Sequence, residues 1–151
     1  DNMLVQKVLT VDSNDSNILY ATLRSLSDDL ALRLKKRKQI ANKVSLGIHY
    51  SDGYSANRIG SLKFNDSHYV FNTCVTIFNK LNKRRNRVRS ILINASDFQS
   101  YMHQEHLFNS KESSAIKISK VVDAIRSKYG LESIQYANIL RAQKTNQCLP
   151  I

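Results

Sequence analysis

Proline occurs once in this 151-residue chain and glycine four times, so neither a proline-rich linker nor a glycine-rich phosphate loop has the residues it would need. Cysteine is nearly as scarce: Cys74 falls in an apolar helical pattern and Cys148 in a polar tail, and the pair offers neither metal-ligand spacing nor a disulfide framework. No segment approaches the roughly 18 consecutive apolar residues of a membrane-spanning helix, and no secretory apolar region opens the chain. A cytoplasmic protein that does not engage membranes is the expectation. Acidic residues are the most informative shortage, 12 against 23 lysines and arginines, for a net charge of +11. Such an excess suits a polyanionic partner, nucleic acid first.

The few carboxylates are also scattered. Asp12 and Asp15 precede a helix, Asp66 precedes another and Asp97 follows a strand, which are capping and turn positions. Asp28-Asp29 lies within a long helix, on what reads as its solvated face. Metal-assisted phosphoryl transfer needs carboxylates that converge, so no catalytic residue is assigned and the fragment is not expected to be an enzyme. His103-Gln104-Glu105-His106 comes nearest to a metal motif but has the spacing of neither H-E-x-x-H nor H-x-x-E-H, and no third ligand is near. No metal site is expected.

Hydrophobic periodicity orders the rest. Residues 6–11 read as a short strand, and Leu19, Leu23, Leu26, Leu30 and Leu34 as the stripe of a helix over about 16–37. Val44, Leu46, Ile48 and Tyr50 alternate with Lys43, Ser45, Gly47 and His49 as a half-buried strand. Asp52-Gly53 then turns the chain into a second hairpin arm over 55–64. Cys74, Val75, Phe78 and Leu81 mark a helix over about 67–82 behind Asp66 or Ser67, and Val88 to Ala95 an apolar strand. Residues 97–112 lack a period; Ile118 to Tyr129 form a third helical stripe, and Ile134, Tyr136 and Leu140 alternate as a last strand. The order β-α-β-β-α-β, then α-β, predicts an α+β fold. Its mixed sheet of four to five strands would carry helices on one face and leave the other open, small and polar. The chain divides into a core over 1–98, a loop over 99–112, a helix-strand extension of the same domain over 113–140 and a tail over 141–151.

The basic residues group three ways. Lys35 to Lys38 close the first helix, where cations complement its dipole. Arg58 and Lys63 lie on the hairpin, and Lys83, Arg84, Arg85, Arg87 and Arg89 lead into the next strand. Short side chains at Ser45 and Gly47 would let backbone amides and the flanking Lys43, Arg58, Lys63, Arg85, Arg87 and Arg89 approach phosphates, which positions a duplex without reading its sequence. Tyr50, Tyr54 and Phe64 do not cluster as a platform for stacking single-stranded bases.

Three segments carry a family resemblance: Val44-Ser45-Leu46-Gly47-Ile48-His49-Tyr50-Ser51-Asp52, Asn57-Arg58-Ile59-Gly60-Ser61-Leu62, and Val88 through Phe98. With the β-α-β-β-α-β order, they resemble the little finger, the C-terminal domain of Y-family, UmuC-type translesion DNA polymerases, over about residues 6–98. Gly60 stands where a second arginine is common in that family, and Leu92 where glycine is common. The resemblance implies a non-catalytic domain of a larger damage-bypass polymerase. It would bind duplex or primer-template DNA, need no cofactor of its own while magnesium serves a palm domain, and work with UmuD-like or RecA regulatory partners. Gln104-Glu105-His106-Leu107-Phe108 is similar to the pentapeptide by which bacterial polymerases bind the β sliding clamp, with Gln104 at the rim of a pocket and Leu107 and Phe108 inside it. The rival reading is a stand-alone basic α/β protein of the ribosome-associated kind binding structured RNA, which the charge alone equally permits.

Overall fold

The structure, a computed structural model, describes residues 2–100 and 110–147. Its elements run β1 (Met3–Ser13), α1 (Ser16–Arg37), β2 (Gln39–Tyr50), β3 (Ser55–Ser61), α2 (Ser67–Leu81), β4 (Val88–Ser100), α3 (Ser110–Tyr129), a 3-10 turn (Leu131–Ser133) and α4 (Ala137–Gln147). The expected α+β class and the order of the first six elements hold. The sheet has four strands in the order β1-β4-β2-β3, and every pairing is antiparallel rather than mixed. The reason is that β4 inserts between β1 and β2, so those two strands run parallel without touching.

Local chemistry accounts for the element ends. Asp15 caps α1 by accepting from the Asn17 N–H, and Asp66 caps α2 by accepting from the Tyr69 N–H. α1 stops at Lys38, whose left-handed backbone (φ 52°) returns its N–H to the Leu34 and Lys35 carbonyls. One core lies between the sheet and the two helices. Val44, Leu46, Ile48 and Tyr50 of β2 and Ile91, Ile93 and Ala95 of β4 meet Leu19, Leu23, Leu26, Leu30 and Leu34 of α1 and Val70, Cys74 and Phe78 of α2. Gly60 lies under α2, where a Cβ would come within 2.7 Å of Ile77 Cδ1. A side chain there would press on the tip of Ile77.

Three expectations fail beyond residue 96. β4 continues to Ser100 through Asp97, which takes a positive φ of 60°, and α3 begins at Ser110, so both ends of the aperiodic stretch over 97–112 are regular structure and not loop. Residues 137–147 form α4 in place of a final strand and carry helix into the expected tail. Ile139 is the buried anchor there, and the even spacing of Ile134, Tyr136 and Leu140 was incidental. Nor is Asp28 solvated. It is buried with Arg24 and Arg126, at 3.6 Å and 3.2 Å, and accepts from the Ser67 hydroxyl, while Arg126 also donates Nε and Nη2 to the Ile134 carbonyl. Tyr136 closes over Arg24, 3.8 Å from its guanidinium carbon to the ring centroid. Together with Lys35 to Asp123 at 2.5 Å, these contacts fasten the C-terminal helices to α1.

Candidate nucleic-acid interface

Strand register decides which side chains reach the helix-free face. Directly paired residues share a face. Rows therefore cross the sheet through Leu4, Asn94, Ser45 and Ile59; through Gln6, Leu92, Gly47 and Asn57; and through Val8, Ser90, His49 and Ser55, with Lys43 beside Ser96 and Ser61. Side chains on this face are mostly short, and the His49 imidazole bonds Ser55 Oγ at 2.6 Å. The face is less polar than expected: Leu4, Val8 and Ile59 are 53%, 62% and 70% exposed on its edge strands. Gly47 does not give the predicted open lane to the backbone. Leu92 lies across it, with Cγ 2.8 Å from where a Cβ would stand.

Basic residues gather at both ends of this face. Lys43 pairs loosely with Asp97 at 3.6 Å, and Lys63 follows β3 just beyond Ser61, the partner of Lys43. At the other end, the β2-β3 turn, the end of β1 and the loop before β4 converge. Ser51 N–H donates to the Arg87 carbonyl (2.9 Å), Asn14 Nδ2 to the Arg85 carbonyl (3.2 Å), and Arg89 reaches Asp12 and the Ser51 carbonyl at 3.4 Å. Arg84 is the brace of this end. It meets Asp52 at 2.5 Å, to which Asn86 also donates, and covers the Tyr54 ring at 4.3 Å. The Tyr50 hydroxyl donates to Asn82 Oδ1, and burial raises its pKa against the lowering pull of Arg84, with Tyr54 and Asp52 adding to the rise. Arg85 and Arg87 are exposed, and their side chains have no hydrogen-bond or ionic partner among the described residues. From Lys43 to Tyr50 the strand covers about 23 Å at roughly 3.3 Å per residue.

Of the DNA-contacting set predicted from sequence, Lys43, Ser45, Lys63, Arg85, Arg87 and Arg89 border or lie on this face. Arg58 does not. It pairs with the buried Leu46 and so belongs to the helix side of β3, beside α2. Gln104, Leu107 and Phe108, like His103 and His106, lie outside the described residues. The described aspartates act singly, in caps (Asp15, Asp66) or with cations (Asp12, Asp28, Asp29, Asp52, Asp97, Asp123). Among the described residues no three potential metal ligands group together, and the acids do not converge as a divalent-metal site requires. No described helix is long and apolar enough to cross a membrane.

The chain matches the model of the impB/mucB/samB family C-terminal domain over residues 2–107. It is 27% identical over 134 residues to the putative UV-damage repair protein UvrX of Bacillus subtilis, covering 85% of this chain and 32% of that protein. To DNA polymerase IV of Dehalococcoides mccartyi it is 28% identical over 133 residues, covering 86% and 34%. The chain thus spans about a third of the length of these curated relatives. Among solved structures, a complex of the beta-clamp processivity factor with the little finger domain of PolIV aligns at a TM-score of 0.55 and 13% identity, over 72% of this chain and 99% of that one. DinB from Sulfolobus solfataricus aligns at 0.54 and 12%, over 63% and 28%.

Proposed function

The chain belongs to the impB/mucB/samB family, whose C-terminal domain it carries with the little-finger fold of Y-family polymerases, and on that premise we propose that it is the DNA-holding, non-catalytic part of a larger damage-bypass polymerase. The observation that carries this reading is the helix-free face with cations at both ends, two of them arginines whose side chains have no partner among the described residues. A B-form major groove is about 12 Å wide, so a face about 23 Å long reaches the phosphates on both of its sides. Lys43 and Lys63 hold one strand of the duplex; Arg85, Arg87 and Arg89 hold the other. Short side chains between them fit any sequence, as a polymerase that slides along its template requires. Nucleotidyl transfer and its metal ions belong to the two thirds of the relatives outside the span of this chain. Gln104, Leu107 and Phe108 tether the assembly to a sliding clamp.

Fluorescence anisotropy with a primer-template duplex tests the DNA reading. Five cations on phosphate predict a slope of log affinity against log salt of about −4.5, and Arg85→Glu with Arg87→Glu flattens it by about 2 equally for unrelated sequences. A flat salt response, or clear preference for duplex RNA over DNA, overturns the reading.

A further inference from the structure

Among the described residues no strand pairs with the outer edge of β3, and a charged groove lies beside it. Tyr50 N–H donates to the Tyr54 carbonyl at 2.8 Å, and Leu62 N–H to the Asn42 carbonyl at 2.7 Å. These two bonds fix the alternation of the ladder: the even residues of β3 exchange hydrogen bonds with β2, and the N–H and C=O groups of Ser55, Asn57, Ile59 and Ser61 point outward. The opposite edge, β1, differs, since α4 and the 3-10 turn flank it through Ile139 and Glu132.

Side chains follow the same alternation. Ile59 is on the open face, whereas Arg58 and Gly60 face a groove of about 350 Å³ between β3 and α2, lined also by Tyr69, Thr73, Thr76 and Lys80. Gly60 contributes no side chain to fill it. No carboxylate lines this groove, and neither Arg58 nor Lys80 has an ionic partner among the described residues. Edge strands with free backbone groups accept an extended peptide, whose alternate side chains supply the specificity.

From this we infer that β3 takes an extended acidic segment of another polypeptide as a fifth strand. Its backbone pairs with Asn57, Ile59 and Ser61. A carboxylate opposite Arg58 meets that guanidinium and the Lys80 ammonium, and an apolar residue opposite Ile59 covers it on the other face. A second copy of the chain is the poorer occupant, because antiparallel pairing of two β3 edges sets Arg58 beside its own counterpart, and like charges across a ladder repel.

The probe is a fluorescent, end-capped peptide of about seven residues alternating glutamate and valine, titrated into the 151-residue chain, with a lysine-for-glutamate peptide as control. Saturable binding is expected, with hydrogen-exchange protection gained at the amides of Asn57, Ile59 and Ser61. Ile59→Pro removes only an outward N–H and leaves the β2 ladder intact, and should weaken binding at least about tenfold. Arg58→Glu with Lys80→Glu should reverse the preference toward the lysine peptide. The inference is overturned if the acidic peptide fails to bind, if it binds the Ile59→Pro chain as well as the parent, or if protection appears on other strands. Self-association that Ile59→Pro abolishes would also overturn it, in favour of a second copy.

Discussion

Asp28→Asn should destabilise the domain more than Arg126→Met does, although both substitutions break the same 3.2 Å contact. The difference lies in the charge left behind. Arg24, Asp28 and Arg126 have side chains no more than 6% exposed and together carry a net charge of +1. Losing Arg126 leaves a neutral Arg24 and Asp28 pair and one carbonyl, that of Ile134, without its two guanidinium donors. That is a cost of about 1–3 kcal/mol. Losing the Asp28 charge leaves two buried guanidiniums with no counter-ion, and breaking a buried pair in this way costs about 3–5 kcal/mol. For a chain of this length each kcal/mol moves the thermal midpoint by about 2–4 °C, so Asp28→Asn should lower it by on the order of 10 °C and Arg126→Met by about half as much. Combining the two returns the cluster to a single positive charge, and the double variant should be more stable than Asp28→Asn alone. Urea melts of the four chains supply the comparison. A larger loss for Arg126→Met, or simple additivity in the double variant, would refute the charge argument.

Three further outcomes are expected. Burial pushes the Cys74 thiol up to about 12, against a lowering hydrogen bond from Ser27, so the unfolded chain loses this proton first and stability should fall as pH rises from about 9 toward 12, at up to about 1.4 kcal/mol per unit. A Cys148→Ser chain, urea-melted across that range, should show the fall; a flat profile would mean that Cys74 ionises in the folded state as readily as in the unfolded one. Leu92→Ala uncovers the backbone at Gly47 and should tighten duplex binding by about two- to threefold, under 1 kcal/mol, with unchanged or weaker anisotropy-measured affinity counting against a backbone contact there. Leu107→Ala with Phe108→Ala should abolish capture by an immobilised bacterial clamp while duplex affinity stays the same; retained capture would remove the pentapeptide from the proposal.

The central elements were readable because their signals are local. Five leucines at helical spacing and four alternating residues of β2 each state which side is buried, and all nine are buried. β1 carried the same signal at both ends, with Met3, Val5 and Leu9 inward and Leu4 and Val8 outward, and the apolar outward set is why the open face is less polar than β2 alone suggested. The extension was harder. Ile139 takes its meaning from α1 and the edge of β1, far away in sequence, and Asp28 could not be recognised as buried without Arg126, 98 residues on.

Arg58 shows how a single residue of turn length can redirect a functional assignment. Asp52-Gly53 has the form of a two-residue hairpin turn, which would pair Ser51 with Tyr54 and Gly47 with Arg58 and send the guanidinium to the helix-free face. The observed turn closes one residue earlier, between Tyr50 and Tyr54, with Gly53 at φ 85° as the left-handed residue that a three-residue loop needs. Every partner of β3 thereby moves by one, Arg58 lies opposite Leu46, and its side chain exchanges the helix-free face for the groove against α2. The same shift turns Ile59 outward and puts Gly60 beneath Ile77, whose Cδ1 lies 2.7 Å from where a Cβ would stand. Charge in the hairpin was legible from composition; the face it serves was set by three residues of loop.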